Sequence, residues 1–363
     1  MKDFNFCIDE NIPYAKEAIG NLGNSYILPG RKITNEFLVN NKINILFCRS
    51  QTKVNQNLCE DSDLKFIATA TAGFDHFDIN YLNNSNIPYF ASPGCNAKSV
   101  AEYVVYGILK WALNRNVDLK NLKLGIVGYG NIGKILAKYG NWLGLKILVN
   151  DLPLKSKNYN FPEYCEYKEL DDLIAESDII SNHVPLEKNS DNFPTYKLFN
   201  SNNLQFLKNE VLIIHALRGR VVDENALLEV IEKKNIISII DVWEGEPNFN
   251  LELTKKSMIA TPHIAGHSYN GKLNGTIQVL ENFEKVFSIQ TDKSIILKEL
   301  DYYQPIEEQY YSDYHFMYDL IAKNRKIDED DLKFKSLISL SLDERNKQFD
   351  LQRKNYPIRY EIL

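Results

Sequence analysis

Two of the six histidines in this 363-residue chain fall inside the heptad TPHIAGH at 261–267. Imidazole titrates where a hydroxyl proton is given or taken near neutrality, so His263 is a candidate proton carrier. Two other apolar runs end in groups that would serve it. LIIHALRGRVVDE (212–224) delivers Arg218, a planar two-pronged cation shaped for a carboxylate. IISIIDVWEGEP (236–247) delivers Asp241 and then Glu246, and a carboxylate behind an imidazole fixes its tautomer and stabilises the imidazolium. Taken singly, Arg218 reads as well as a binder of loop carbonyls, Glu246 as a turn cap and His263 as loop filling. Three consecutive runs ending in guanidinium, carboxylate and imidazole point instead to one site. Its chemistry would be removal of a hydride and a proton from a secondary alcohol that carries a carboxylate.

Such chemistry needs a hydride acceptor, and GIVGYGNIG (125–133) is built to hold one. Gly128, Gly130 and Gly133 form G-x-G-x-x-G after an apolar strand, and Asn131 and Ile132 open the helix that follows. The first glycine allows the tight turn, the second admits a pyrophosphate to the backbone, and the third lets helix and strand pack closely. Asp151 stands 18 residues beyond Gly133, at the end of the next apolar run. A carboxylate there accepts bonds from ribose hydroxyls and repels a 2′-phosphate, so NAD is expected over NADP.

The elements that must position these groups alternate between short apolar runs and helical patterns. NILFCRS (44–50), KFIATATAG (65–73) and IPYFASPG (87–94) read as buried strands, and AKSVAEYVVYGILKWALN (97–114) as a long helix. Further strands follow at 146–151, 178–186, 210–219, 236–245 and 258–266, with spacings that suit βαβ units and a parallel sheet. The glycine turn begins far into the chain, so the residues before it need a separate α/β unit. The helix after 270 has no following strand and returns to that unit. Residues 290–363, crowded with aromatics and then with charge, are expected to form a third, small unit.

Composition bounds the alternatives. Hydrophobic residues at 44% and charged residues at 25% are ordinary for a globular protein, and the net charge of −6 argues against a nucleic-acid partner. Cys7, Cys48, Cys59, Cys95 and Cys165 are odd in number and scattered, which reads as reduced thiols and not as a disulfide frame or a metal site. Acids occupy the place of a signal-peptide core, and no run reaches the roughly 18 apolar residues of a membrane span. A cytoplasmic protein is expected, with no metal.

The segments GYGNIG, LRGRVVDENAL, DVWEGEP and TPHIAG resemble, in order and spacing, the D-isomer-specific 2-hydroxyacid dehydrogenase family. Within it the chain is most similar to a branch acting on a phosphorylated four-carbon acid. The segments that carry this are DENIPYA (9–15), LPGRKI (28–33), RSQTKVNQNL (49–58), TATAGFDHFD (69–78), SPGCNAKSVAEYV (92–104), HIAGHSYNGKLNGT (263–276) and FDLQRKNYPIRYE (349–361). The resemblance implies an α/β fold: a Rossmann-type NAD domain (97–266) inserted in a flavodoxin-like substrate domain (1–96 and 267–289). It also implies a small C-terminal α+β domain (290–363) that makes a homodimer. Carried over by position, Arg218, Glu246 and His263 are catalytic. Asp151, Asp241 and Gly266 contact NAD, as does the backbone of Val184, which stands where that branch has threonine. Ser50 and Thr71 contact substrate, and His267 replaces a substrate-touching tyrosine of the branch. The implied reaction is NAD-dependent oxidation of 4-phospho-D-erythronate on the route to pyridoxal 5′-phosphate. A phosphate dianion needs cations, and Arg49 and Lys53 flanking Ser50 are the candidates. Two other readings stay open here: a relative acting on another 2-hydroxy acid such as D-3-phosphoglycerate, and a non-enzymatic NAD-sensing adaptor on the same fold.

Overall fold

A computed structural model describes residues 4–188, 192–302 and 305–363. The chain forms two compact units, Met1–Asn96 with Ser268–Gln304 and Ala97–His267 with Pro305–Leu363.

The first unit is built on five parallel strands: β1 (Phe4–Asp9), β2 (Gly23–Leu28), β3 (Ile45–Cys48), β4 (Phe66–Thr69) and β5 (Tyr89–Phe90). Their order is β2-β1-β3-β4-β5, the flavodoxin-like arrangement. Every residue of β3 and β4 is buried, as an unbroken apolar run requires when helices cover both sheet faces. The helix Tyr269–Phe287 supplies one cover. Ser268 caps it by accepting the Gly271 N–H at 2.9 Å. Its Phe283 ring sits 5.4–6.0 Å from the rings of Phe4, Phe6, Phe47 and Phe66. Burying an aromatic cluster of that kind is what returns the chain to this unit after residue 267.

The second unit holds β6 (Lys123–Val127), β7 (Lys146–Asn150), β8 (Cys165–Tyr167), β9 (Ile179–Asn182), β10 (Leu212–His215), β11 (Ile237–Ile240) and β12 (Ile259–Ala260). All are parallel, in the order β12-β11-β10-β9-β6-β7-β8. The order reverses between β6 and β9, and open parallel sheets bind ligands beyond their carboxyl ends at such a point. Register fixes which residues share that edge. Val127 pairs with both Asn150 and Asn182, Asn182 with His215, His215 with Ile240, and Ile240 with Ala260. The residues that follow these six therefore emerge side by side.

The tail departs from expectation. An α+β unit was expected over 290–363, yet its described residues contain no strand. They form the helices Ser294–Asp301, Tyr314–Arg325, Ile327–Lys335 and Leu342–Lys354, with two short 3-10 turns. The reason is local. Asp313 and Ser341 cap their helices through the Phe316 and Glu344 N–H groups. Acids open the third and fourth of these helices (Asp328, Glu329, Asp330; Asp343, Glu344) and bases close them (Lys333, Lys335; Arg353, Lys354), as the helix dipole favours. Within one chain, the aromatics of 305–363 join the core of the second unit: Tyr311 is fully buried, 4.9 Å from Trp142 and 5.5 Å from Tyr139.

Candidate active site

The glycine turn directly follows β6, and each glycine has a separate physical reason. Gly128 adopts φ +96, and a Cβ there would lie 2.7 Å from the His183 carbonyl, so the segment after β9 passes hard against the turn. A Cβ on Gly133 would stand 2.1 Å from the Gly128 oxygen, which only hydrogen permits. Gly130 is the opposite case, with nothing within 4 Å of a built Cβ. Open space at the mouth of a helix (Asn131–Trp142), with Asn131 exposed and Ile132 half-buried in its first turn, is what a pyrophosphate requires. Asp151 ties β7 to this turn: Oδ2 accepts the Tyr129 N–H at 2.8 Å and Oδ1 the Leu154 N–H at 2.9 Å. A carboxylate so engaged keeps lone pairs for ribose hydroxyls. Val184, half-buried, brings its backbone nitrogen to 2.9 Å from the same built Cβ of Gly128. These residues fit a dinucleotide.

The proton-handling groups lie further along the same edge. His263 Nδ1 is 2.9 Å from Glu246 Oε2, and the other oxygen of Glu246 accepts the Trp243 N–H at 2.9 Å. Burial works to raise the Glu246 carboxyl. The His263 charge and hydrogen bond, the Trp243 N–H and the Arg353 charge outweigh it and leave the group below the ordinary carboxylate range. His263 itself has φ 58, a left-handed backbone that costs a side-chain-bearing residue roughly 1–2 kcal/mol. Asp241 holds it there. Its backbone oxygen accepts the His263 N–H at 2.6 Å, and its buried carboxylate accepts the Thr261 hydroxyl (2.6 Å) and the Ile264 and Ala265 N–H groups (2.7 and 2.9 Å). Burial raises the Asp241 carboxyl, against the opposing pull of His263 and these donors. In this structure the side chain shapes the loop that carries His263 and Gly266.

Arg218 follows β10, half-buried, and its Nη1 donates to the Leu217 carbonyl at 2.9 Å. Its loop is pressed onto the Glu246 loop, since a Cβ on Gly219 would lie 2.0 Å from the Trp243 oxygen. Beneath both loops is His215, which neither charge nor spacing singled out. It bonds Asn182 Nδ2 through Nδ1 (2.9 Å) and the Gly219 carbonyl through Nε2 (3.1 Å), and burial lowers its pKa to about 4. An imidazole accepting at one nitrogen and donating at the other is neutral. His267, beyond Gly266, packs its ring 5.5 Å from that of Tyr356 in the tail.

The first unit by itself holds a second group of expected residues. Arg49 follows β3 and donates from Nη1 to the Ala70 carbonyl at 3.2 Å; Ser50 beside it is exposed. Thr71 follows β4, its hydroxyl 2.7 Å from that of Thr69, which in turn meets His76 Nε2 at 3.0 Å. Lys53, the other expected cation, is exposed on the turn. A different lysine is coupled electrostatically to Arg49. Lys272 is one turn from Gly275, whose built Cβ meets the same Ala70 oxygen at 3.0 Å. Burial and then the charge of Arg49 lower the Lys272 ammonium, while Asp9 pulls it back. Nothing in the spacing of the sequence marked Lys272, because the pairing depends on the helix returning across β4.

Comparison with known proteins shows the family. An erythronate-4-phosphate dehydrogenase of Bacteroides thetaiotaomicron is 40% identical over 79% of this chain and 81% of its own length. One of Shewanella sediminis is 36% identical over 98% of this chain and 92% of its own. The chain belongs to the erythronate-4-phosphate dehydrogenase family. Residues 101–265 match the family described as D-isomer specific 2-hydroxyacid dehydrogenase, NAD binding domain. Among solved structures, D-lactate dehydrogenase of Aquifex aeolicus complexed with NAD and lactic acid superposes with a TM-score of 0.61. It is 26% identical and covers 78% of this chain and 96% of its own. The protein is an NAD-dependent oxidoreductase of 2-hydroxy acids, which sets aside the non-enzymatic adaptor. No helix among the described residues is long and apolar enough to cross a membrane, and none of their His, Cys, Asp and Glu side chains cluster as a metal site.

Proposed function

We propose that this enzyme oxidises 4-phospho-D-erythronate at C2 to (R)-3-hydroxy-2-oxo-4-phosphooxybutanoate, a step toward pyridoxal 5′-phosphate. The observation that carries the reading is the Glu246–His263 pair, 2.9 Å apart, on the sheet edge that also bears the glycine turn. NAD, when bound, supplies the hydride acceptor. Gly128, Gly130, Asn131, Ile132 and Gly133 cradle its phosphates, Asp151 its ribose, and the backbones of Val184 and Gly266 its remaining polar atoms. Asp241 serves it through the loop it holds.

His263 Nε2 takes the proton of the C2 hydroxyl as the C2–H bond gives up its electron pair. With Nδ1–H committed to Glu246, the ring can accept only at Nε2, and the carboxylate stabilises the imidazolium that forms. Arg218 holds the substrate carboxylate and draws charge toward it as the carbonyl develops. Ser50, Thr71 and His267 contact the hydroxyls. Arg49 holds the 4-phosphate, and Lys272 is a better second cation than Lys53, being half-buried and electrostatically coupled to Arg49. The names of the relatives favour this substrate over D-3-phosphoglycerate.

Purified enzyme with NAD and 4-phosphoerythronate is expected to form NADH, or to reduce an added 2-oxo acid where cofactor stays bound. A higher kcat/KM on D-3-phosphoglycerate than on 4-phosphoerythronate refutes the substrate. We also place the enzyme in the cytoplasm without nucleic-acid partners, in keeping with five buried free thiols and a net charge of −6. Homodimerisation through the tail is supported by its exposed apolar side chains, Leu332 at 69% and Ile358 at 65%. Leu332→Asp with Ile358→Asp should convert a dimer to monomer by light scattering; a wild-type monomer overturns the assignment.

A further inference from the structure

Arg325 ends the helix Tyr314–Arg325 and has 0% of its surface exposed. An arginine survives such burial only when its donors are matched. Its Nε is buried without a partner among the described residues, but both Nη groups are engaged, one on the loop behind His263 and one on the helix beside it. Nη2 donates to the Ala265 carbonyl at 3.0 Å, and Nη1 donates to Ser99 Oγ at 2.9 Å and to Glu102 Oε1 at 3.4 Å. The Ser99 hydroxyl, having accepted from Arg325, donates to the same Ala265 carbonyl at 2.7 Å. Glu102 is fixed in turn, its other oxygen accepting the Ile362 and Leu363 N–H groups at 2.7 and 3.1 Å. The Ala265 N–H is already held by Asp241 at 2.9 Å. Peptide 265 is thus gripped at both ends, two residues from His263 and next to Gly266.

The same tail braces the other half of the pair. Phe334 packs 5.4 Å from the Trp243 ring and 4.4 Å from Phe249, and Phe349 lies 6.2 Å from Phe249. These aromatics flank the 243–249 turn from which Glu246 projects.

We propose that Arg325 is a positioning residue for the proton transfer: through Ser99 and the Ala265 carbonyl it holds His263 in line with Glu246. The tail then completes the active site of its own chain, whatever it does between subunits. The inference rests on reading His263 as the base. A left-handed histidine relaxes once its loop is released, because its own backbone prefers other conformations.

The test removes both buried charges together, since Arg325→Met alone strands the Glu102 carboxylate. Full-length Arg325→Met/Glu102→Gln, with folding checked by circular dichroism and Tm, is compared with wild type on 4-phosphoerythronate. Misplacing a reacting group by about 1 Å costs on the order of 100-fold, so kcat should fall by about 10- to 100-fold while KM for NAD changes by less than about threefold. The acid limb of the kcat/KM profile should move to lower pH, as the imidazolium loses its carboxylate. Ser99→Ala keeps the ion pair and removes one bond to the Ala265 carbonyl; it should lower kcat in the same sense by a smaller factor. Arg325→Lys should recover part of the loss, one donor nitrogen replacing two. A folded double variant, or Ser99→Ala if that variant does not fold, with wild-type kcat and an unmoved acid limb overturns the inference. His263→Asn separates the two readings. Retained turnover there removes the base assignment itself, whereas a dead His263→Asn beside an unaffected Arg325 variant removes only the role of Arg325.

Discussion

Glu246→Gln isolates the charge behind the imidazole. The amide keeps one oxygen that can accept from Nδ1, while its NH2 then faces the Trp243 N–H, so the negative charge and that one backbone hydrogen bond go together. The atoms are 2.9 Å apart, which puts the charge centres about 4 Å apart, worth about 4 kcal/mol at the effective dielectric of a protein surface. The side chains are 28% and 22% exposed, and solvent screening at that exposure takes about half. The remaining ~2 kcal/mol applies to the imidazolium formed in the transition state and not to the neutral ring, so it should appear in kcat, as a fall of about 30-fold. Glu246 is held below the ordinary carboxylate range, so its charge is present across the working pH range and lost only in stronger acid. The assay is the initial rate of NADH formation with protiated and 2-deuterated substrate, the isotope effect certifying that hydride transfer is being read. A loss in kcat below about threefold, with the acid limb unmoved, would refute the reasoning.

Gly130→Ala should leave Tm within about 2 °C, since no protein atom meets the new methyl, yet raise KM for NAD by about tenfold or more. Gly133→Ala should instead lose stability as well as cofactor, its Cβ falling 2.1 Å from the Gly128 oxygen; equal Tm losses in the two variants would contradict the assignment. Arg49→Ala and Lys272→Ala should each raise KM for 4-phosphoerythronate by about 10- to 100-fold but hardly affect a non-phosphorylated analogue, and Lys53→Ala should do neither. Equal effects on both substrates would discard the phosphate site. His215 has a folded pKa of about 4 against 6.5 for the free side chain, so the unfolded chain binds the extra proton between those values. Its contribution is complete above pH 6.5 and falls by about 3 kcal/mol as pH drops toward 4. Urea midpoints across that window should fall steeply in wild type and less so in His215→Gln, and parallel slopes would show that another group is responsible.

The glycine turn, the three chemical groups and the parallel strands carrying them were legible because each is a local fact. A fully buried strand is mostly apolar, and a turn that admits a pyrophosphate must omit a side chain at particular positions. β2 and β8 escaped notice for the converse reason, and β1, although buried, for the Asn5 and Asp9 that interrupt its apolar run. β2, GNSYIL, is a half-exposed edge strand with polar residues that disguise it, and β8 spans only Cys165–Tyr167. The resemblance implied strands in the tail, whereas its caps and end charges made helices. Residue types and order by themselves determined which chemistry this chain could perform and which cofactor it would use. Tertiary structure alone decided what holds that chemistry in place. Asp241 turns out to shape a loop, Lys272 is coupled electrostatically to Arg49, and Arg325 reaches Ala265 across 60 residues of sequence. Such pairings depend on where helices return in space, and an isolated sequence carries no record of distances between residues that meet only when the core closes.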